Sequence, residues 1–480
     1  MTTPEEGFPL AEVPAWYARQ FPDQVAVRCG DTQLTWRQLH LASNRVAHGL
    51  RRDGDIAGRI VSLLLPNSVD VAVAIFACYK AGAVPQPLSN RLTDVERDEI
   101  LALADPAAVI DGVTTTVSGL AALGDESDLP TVVAPSWKAP TSGGSTGRPK
   151  IILAGSPAEL RLLGPRRWGV QAGERMLITA PVHHNAPFGT LCYALFLGGT
   201  VTLMPRFDPE QVLADVQRHA ITWLYLVPTM MRRIHALPEQ TKRRYDLSSL
   251  RAAWHVAAPC PPWLKRAWID WLGPERVWEL YAGTEASAGC TIGGVDWLAH
   301  PGSVGRTTWG EIKIVAEDGT DVTEPGVAGE VYTRVTPGNP PAYRYIGATA
   351  KEVDGWASLG DIGEFDADGF LYLHDRLTDM ILVGGVNVFP AEVENALLAH
   401  PDVLSAAVVG LPDDDLGNRV HAIVETTASA DELAAFLETR LSPHKRPRTI
   451  EITHQPLRDD TGKMRRSALR AERMKGAGAW

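Results

Sequence analysis

A chain of 480 residues, 45% apolar and 21% charged, is too long for one small core and too apolar for wholesale disorder, so two or more folded domains are expected. Its formal net charge of -11 argues against nucleic acid or an anionic membrane as the main partner, because both reward basic surfaces. The scattered cysteines Cys29, Cys78, Cys192, Cys260 and Cys290 form no Cys-x-x-Cys pair, which excludes a zinc ribbon or disulfide framework and leaves them as small buried hydrophobes.

No apolar stretch is long enough to cross a bilayer, and the acidic, proline-bearing first ten residues lack the apolar centre of a signal peptide. A reducing, cytoplasmic setting is expected. In chain order, residues 60–65 read as a buried strand, 69–80 as an apolar helix, and Gly82-Ala83-Val84-Pro85 as a turn. Residues 176–180, 200–204 and 223–227 read as further strands. Asp208-Pro209-Glu210 opens a helix with an N-cap, a proline at the first helical position and an acid. Repeated strand–helix alternation predicts parallel sheets with helices on both faces.

The character changes near Asp375. Asp366-Ala367-Asp368-Gly369 is a turn between strands, and residues 380–383 form an apolar strand. A helix follows from Pro390 to His400, then a strand over 403–409. Ser429-Ala430-Asp431-Glu432 reads as a capping box, with Leu433, Phe436, Leu437 and Leu441 on one helical face. The fold class expected is α/β: a large N-terminal domain, residues 1–376, of parallel-rich sheets flanked by helices, and a small mobile C-terminal α+β domain, residues 377–480.

The most informative segment is Thr141-Ser142-Gly143-Gly144-Ser145-Thr146-Gly147-Arg148-Pro149-Lys150. Glycines let backbone N–H groups approach an oxyanion, hydroxyls add donors, and Lys150 adds a point charge, which suits a polyphosphate. A plain Gly/Ser surface loop has the same composition. It is not a Walker loop, because Arg148-Pro149 stands where Gly-Lys-Ser/Thr would close it, and Pro149 keeps the loop from running straight into a helix.

The segment resembles the phosphate loop of the adenylate-forming superfamily, which holds acyl-CoA synthetases, luciferase and peptide-synthetase adenylation domains; Gly143 replaces the usual second hydroxyl. Further motifs follow in that superfamily's order. Tyr281-Ala282-Gly283-Thr284-Glu285 resembles Tyr-Gly-x-Thr-Glu, with Ala282 where glycine is usual. Leu359-Gly360-Asp361 and Asp375-Arg376 resemble the ribose-binding positions, and Thr461-Gly462-Lys463 the C-terminal Gly-Lys.

The resemblance implies that Ser142, Gly143, Gly144, Ser145, Thr146, Gly147, Lys150 and Thr284 face the phosphates and that Tyr281 lies against adenine. It places Asp361 and Arg376 on the ribose, and Glu285 with Thr146 on Mg²⁺. A hard cation held by a carboxylate and phosphate oxygens fits that last assignment. The same resemblance implies that Lys463 bridges carboxylate and α-phosphate during adenylation; Lys463, Glu285 and His184 are the catalytic candidates.

Residues 181–188, Pro-Val-His-His-Asn-Ala-Pro-Phe, resemble the motif beside the acyl pocket. Adjacent residues on a strand point to opposite faces, so His183 and His184 are poor joint metal ligands. The resemblance implies His184 as the pocket gate, with Phe188 as wall. Trp254-His255-Val256-Ala257-Ala258-Pro259 resembles the family's segment beneath the adenine and acyl group, which implies Val256, Ala257 and Gly283 at the acyl pocket and Ala258 and Pro259 under the adenine. Ala257 and Ala258 are equally readable as ordinary core. The small domain is expected to pivot at Thr378, where Asp or Lys is usual. The pivot presents Gly384 and Gly385 to a pantetheine tunnel, and Lys445, Arg446 and Arg448 meet the phosphates of coenzyme A or form a solvated basic cluster.

The function implied is ATP-dependent activation of a carboxylic acid to acyl-AMP, then thioester formation with coenzyme A. Residues 297–302 and 380–385 look most like bacterial bile-acid-type acyl-CoA ligases, which suggests a bulky, aryl or medium-chain acid. The rivals are an adenylating enzyme with an amine, carrier-protein thiol or nitrite partner, and a degraded nucleotide-binding homologue. A Rossmann oxidoreductase is excluded, because no Gly-x-Gly-x-x-Gly follows an early strand. A monomer or homodimer is expected.

Overall fold

The computed structural model describes residues 2–143, 149–350, 352–376, 379–383, 386–413, 415–458 and 464–477. A parallel run of strands passes in spatial order through Val25–Cys29, Thr200–Leu203, Arg175–Ile178, Trp223–Leu226, Ala252–His255 and Val277–Ala282. From Arg175 onward a helix connects each strand to its successor: Asn185–Phe196, Pro209–Arg218, Pro228–His235 and Pro262–Leu272. Asp208 caps one of these as expected, its carboxylate accepting the Gln211 N–H at 2.8 Å with Pro209 next in line.

These strands are short and buried on both faces, Trp223–Leu226 and Ala252–His255 along their whole length. That is the pattern of a sheet covered by helices on either side. Past Ala282 the sheet turns antiparallel through Gly289–Gly293, Ser303–Trp309, Leu371–Arg376 and Trp356–Phe365. A smaller parallel sheet holds Val84–Pro87, Ile60–Leu63 and Ala108–Ile110. The α/β class is therefore as expected.

Beyond Asp379, the hairpin of Val403–Asp413 and Gly417–Thr426, with Thr449–Thr453 parallel to its second strand, packs on the helices Pro390–Leu398 and Ala430–Glu438. Val388, Val393, Leu397, Val403, Leu433 and Leu437 close a core of their own. Ser429 accepts the Glu432 N–H at 3.2 Å, but the Glu432 carboxylate turns toward His400 at 3.8 Å. The capping box is thus one-sided. Cys78, Cys192 and Cys290 are buried as expected, whereas Cys29 and Cys260 are partly exposed; all five are free thiols. Among the described residues no helix is long and apolar enough to cross a membrane.

Candidate active site

In an open parallel sheet, ligand crevices form outside the carboxyl ends of the strands, where strand order reverses. Arg175–Ile178 has its successor Thr200–Leu203 on one side and Trp223–Leu226 on the other, so the order reverses there. His184 leaves from the carboxyl end of this strand, Ala257 from that of Ala252–His255, and Glu285 from that of Val277–Ala282. Three separate sequence motifs thus share one edge.

That edge is strained. Ala257 has φ +73° and Ala286 φ +55°, left-handed conformations that cost a residue bearing a Cβ roughly 1–2 kcal/mol. Such strain persists where the surroundings over-determine it, and it clusters at working sites. Ala257 is exposed and Ala258 half-buried, which corrects the reading of this pair as ordinary core; Pro259 is also exposed.

Pro149–Ala154 pairs antiparallel with Thr141–Gly143 on one side and Tyr343–Ile346 on the other. Thr141–Gly143 and Pro149–Ala154 are therefore neighbouring antiparallel strands, and Pro149 leads into a strand and not a helix, as its sequence required. Ser142 pairs with Lys150 and Gly143 with Pro149; Gly144, Ser145, Thr146 and Gly147 lie outside the described residues.

From the second of these strands Lys150 Nζ reaches the Glu285 carboxylate at 3.0 Å and the Tyr345 hydroxyl at 2.8 Å, and Tyr345 donates to Glu285 at 2.6 Å. Lys150 also lies 4.1 Å from the Tyr345 ring centroid. Glu285 is 8% exposed. Burial alone lifts its carboxyl, but the Tyr345 hydroxyl and the Lys150 charge outweigh burial and hold it below the ordinary carboxylate range. An ionised, nearly buried carboxylate on a polar crevice is the oxygen donor that Mg²⁺ selects, so the residues fit that ion. Tyr345 escaped the sequence reading, because Tyr343-x-Tyr345 looks like any edge strand.

The Tyr281 hydroxyl donates to Asp361 at 2.6 Å, and Asp361 pairs in register with Arg376 on the neighbouring strand. Candidates for adenine and ribose are thereby joined across 80 residues. Thr284 and Gly283 are half-buried on the intervening loop.

His183 and His184 are not on a strand. His184 is the residue before the helix Asn185–Phe196, and the two rings lie 4.1 Å apart. The alternation argument against joint ligation therefore fails, although neither belongs to a metal-ligand cluster among the described residues. Phe188 and Val256 are core residues behind the edge and not an open wall: Phe188 is fully buried, 6.2 Å from Trp137.

In the C-terminal unit, Lys445 pairs with Glu392 at 2.7 Å and Arg448 with Asp413 at 3.3 Å. Arg446 donates to the carbonyls of Leu441 and Glu438 at 2.9 and 2.8 Å. It thus closes the end of the helix Ala430–Glu438, a task other than the phosphate contact expected of it. Asp375 accepts the Ala391 N–H at 2.7 Å. Thr378, Gly384, Gly385 and Lys463 lie outside the described residues, as does the Arg376 side chain.

The carboxyl edge of a parallel sheet, carrying a lysine-clamped acid and a tyrosine–aspartate pair, is the setting of a nucleotide-binding α/β enzyme. The chain belongs to the AMP-binding enzyme family, whose model matches residues 15–343; the model of its C-terminal domain matches residues 392–463. The chain is 35% identical to a feruloyl-CoA synthase of Amycolatopsis, with 96% of this chain and 98% of the relative covered. It is 29% identical to a 2-succinylbenzoate–CoA ligase of Bacillus licheniformis over 96% and 100% of the two chains. It also resembles the solved o-succinylbenzoate CoA synthetase of Bacillus subtilis in complex with its acyl-adenylate. There the TM-score is 0.81 and the identity 26%, with 96% and 98% of the chains covered.

Proposed function

We propose that this chain activates an aryl carboxylic acid with ATP, releasing pyrophosphate, and passes the acyl group from AMP to the thiol of coenzyme A. The Lys150–Glu285–Tyr345 cluster carries the reading. It sets a buried anion and the cation that pairs with it at the sheet edge where a nucleotide's phosphates and metal would be met. Relatives named for ferulate and 2-succinylbenzoate support an aryl acid, beside others named for a long-chain fatty acid and a fused-ring propanoate.

In the first step a carboxylate oxygen of the acid attacks the α-phosphorus, and the bond to the pyrophosphate oxygen breaks. Glu285, with Thr146, would hold Mg²⁺, which when bound neutralises phosphate charge. Tyr281 and Asp361, with Arg376, orient the nucleoside. Backbone and hydroxyl donors of residues 142–147 cradle the phosphates, with Lys150 and Thr284 beside them. Ala258 and Pro259 run beneath the adenine. His184 stands at the mouth of the acyl pocket, with Ala257 and Gly283 leaving room for the acid.

Lys463 supplies a further cation to the reacting oxygens. A unit charge about 4 Å away contributes roughly 4 kcal/mol at an effective dielectric near 20. Residues 377–480 rotate about Thr378 for the second step, presenting Gly384 and Gly385 beside the pantetheine arm, with Lys445 at the phosphates of coenzyme A. The thiol sulfur then attacks the acyl carbon, the C–S bond forms, and the bond to AMP breaks.

The test is acid-dependent exchange of labelled pyrophosphate into ATP across a panel of aryl acids, followed by AMP release with and without coenzyme A. Exchange that needs an acid, and AMP release that accelerates only with coenzyme A, are the expected results. AMP release driven by an amine or a carrier-protein thiol instead would replace the acceptor. Absence of exchange with every acid would remove the activity.

A further inference from the structure

A cation stands close to the candidate acyl site without a counter-charge. The Arg167 guanidinium lies 4.5 Å from the centroid of the Trp309 ring. Its Nε is buried and meets no hydrogen-bond partner, and no ion pair reaches Arg167 among the described residues. Burial pushes its pKa down to about 10. Arg167 as a whole is half-buried, so its Nε is the donor shut away from water without an acceptor, a cost that an oxygen brought beside it relieves.

The position of Arg167 follows from its neighbours. Trp309 donates its indole N–H to the Ala286 carbonyl at 3.2 Å, and its ring fills the space over Gly289, where a Cβ would come within 2.2 Å. Trp309 therefore backs the Gly283–Ala286 loop. On the other side, Arg167 ends the short helix Leu163–Arg167, whose Gly164 lies against the Tyr193 ring. Tyr193 belongs to the helix that begins next to His184. Arg167 thus sits between the two elements that bring His184 and Gly283 to the crevice. Trp137, 5.6 Å from Tyr193 and 6.2 Å from Phe188, adds an aromatic surface. Nearby Lys138 is also buried, 4.4 Å from the Trp137 ring centroid, but Asn185 already accepts from it at 2.5 Å. Of the two cations, Arg167 is the one left to meet a substrate.

We infer that Arg167 reads the end of the acid remote from its reacting carboxylate, and that the preferred substrate is an aryl acid bearing an oxygen acceptor there, bound best when that oxygen is anionic. This rests on the acid-activating reading above. A site built to hydrogen-bond a substituent rejects the analogue lacking it, because the protein group is then stranded.

The experiment compares kcat/KM for pyrophosphate exchange with 4-carboxycinnamic, 4-hydroxycinnamic and 4-methylcinnamic acids. The folded protein is expected to favour the carboxy and hydroxy acids over the methyl acid by about tenfold or more. Arg167→Met should abolish that preference by slowing the oxygenated acids while holding the methyl acid within about twofold, and Arg167→Lys should restore part of it. A wild-type preference for the methyl acid, an undiminished preference in Arg167→Met, or an equal fall for all three acids would each overturn the assignment. The last result would mark Arg167 as packing only. These outcomes retain exchange and so spare the adenylation itself; loss of exchange with every acid in the wild-type protein removes both.

Discussion

The Tyr281 hydroxyl and the Asp361 carboxylate meet at 2.6 Å, joining the last parallel strand to an antiparallel strand 80 residues further on. The bond fixes an aromatic face and an acceptor in one geometry, and pre-organised groups bind with less ordering cost.

Tyr281→Phe keeps the ring and releases the carboxylate. The KM for ATP is expected to rise about fivefold to tenfold, the worth of one hydrogen bond of about 1 kcal/mol or slightly more. The turnover number should change little. Asp361→Ala, which removes the acceptor itself, should raise KM further. Steady-state exchange kinetics at saturating acid measure both, and an unchanged KM in Asp361→Ala would remove that residue from the nucleotide site.

A pH dependence follows from Glu285. Its folded value is depressed, with Tyr345 and Lys150 outweighing burial. The charged form is therefore favoured above the ordinary carboxylate range and lost as pH falls through the depressed value. Tyr345→Phe deletes one of the two supports. The acid limb of the exchange rate should move to higher pH, with no change on the alkaline side. Glu285→Gln should lower exchange by about a hundredfold or more and flatten its magnesium dependence. Magnesium titrations that superimpose on wild type would exclude Glu285 as the ligand.

The sequence showed the site wherever chemistry-bearing residues are contiguous. Thr284-Glu285 and the Gly/Ser loop are local patterns, and the edge shared by His184, Ala257 and Glu285 follows from strand–helix alternation. Tyr345 and Arg167 are different. Each acts through a partner far along the chain, Glu285 and Trp309 respectively, so no local pattern announces them. The two histidines misled for a related reason. Two polar residues after an apolar strand look like its continuation, but the strand ends at Ile178 and a helix starts at Asn185. Arg446 read as a phosphate ligand because charge is visible in sequence, while the helix end that it closes is not.

The strained alanines predict a trade between stability and function. At φ +73°, Ala257→Gly removes the clash of the Cβ and should stabilise the protein by about 1 kcal/mol, offset in part by the freer unfolded chain. Ala257→Val should lower stability instead, since a branched Cβ tolerates this conformation least. Urea midpoints at constant slope measure both. The glycine variant is also expected to lose exchange activity, because the segment is no longer held; a glycine variant less stable than wild type would show that the site carries no strain.

Arg466 supplies the last prediction. Its guanidinium lies 2.7 Å from Asp379, 2.8 Å from Glu394 and 3.5 Å from Asp375. Asp375 and Asp379 stand on either side of the proposed pivot at Thr378, so one cation ties together both ends of the segment about which the small unit would turn. Burial disfavours the guanidinium charge, but the three carboxylates outweigh it and raise its pKa. A raised arginine value leaves the contribution intact at every pH below the ordinary arginine range, so the clasp does not titrate near neutrality. Arg466→Met takes the nearest cation from Asp375 and Glu394, each 4% exposed at the side chain, leaving Asp375 the Ala391 N–H and Glu394 the Val408 N–H with Arg458 at 3.7 Å. Removing one partner from such a buried set costs about 3–5 kcal/mol. Unfolding of the C-terminal unit should shift to lower denaturant, and limited proteolysis should cut faster between Asp375 and Asp379. Adding Glu394→Gln should recover part of the loss, because one buried charge that has lost its nearest cation is then neutralised. Equal proteolysis rates in wild type and Arg466→Met would mean that the segment is held by other contacts and that Arg466 has no part in setting the position of the small unit.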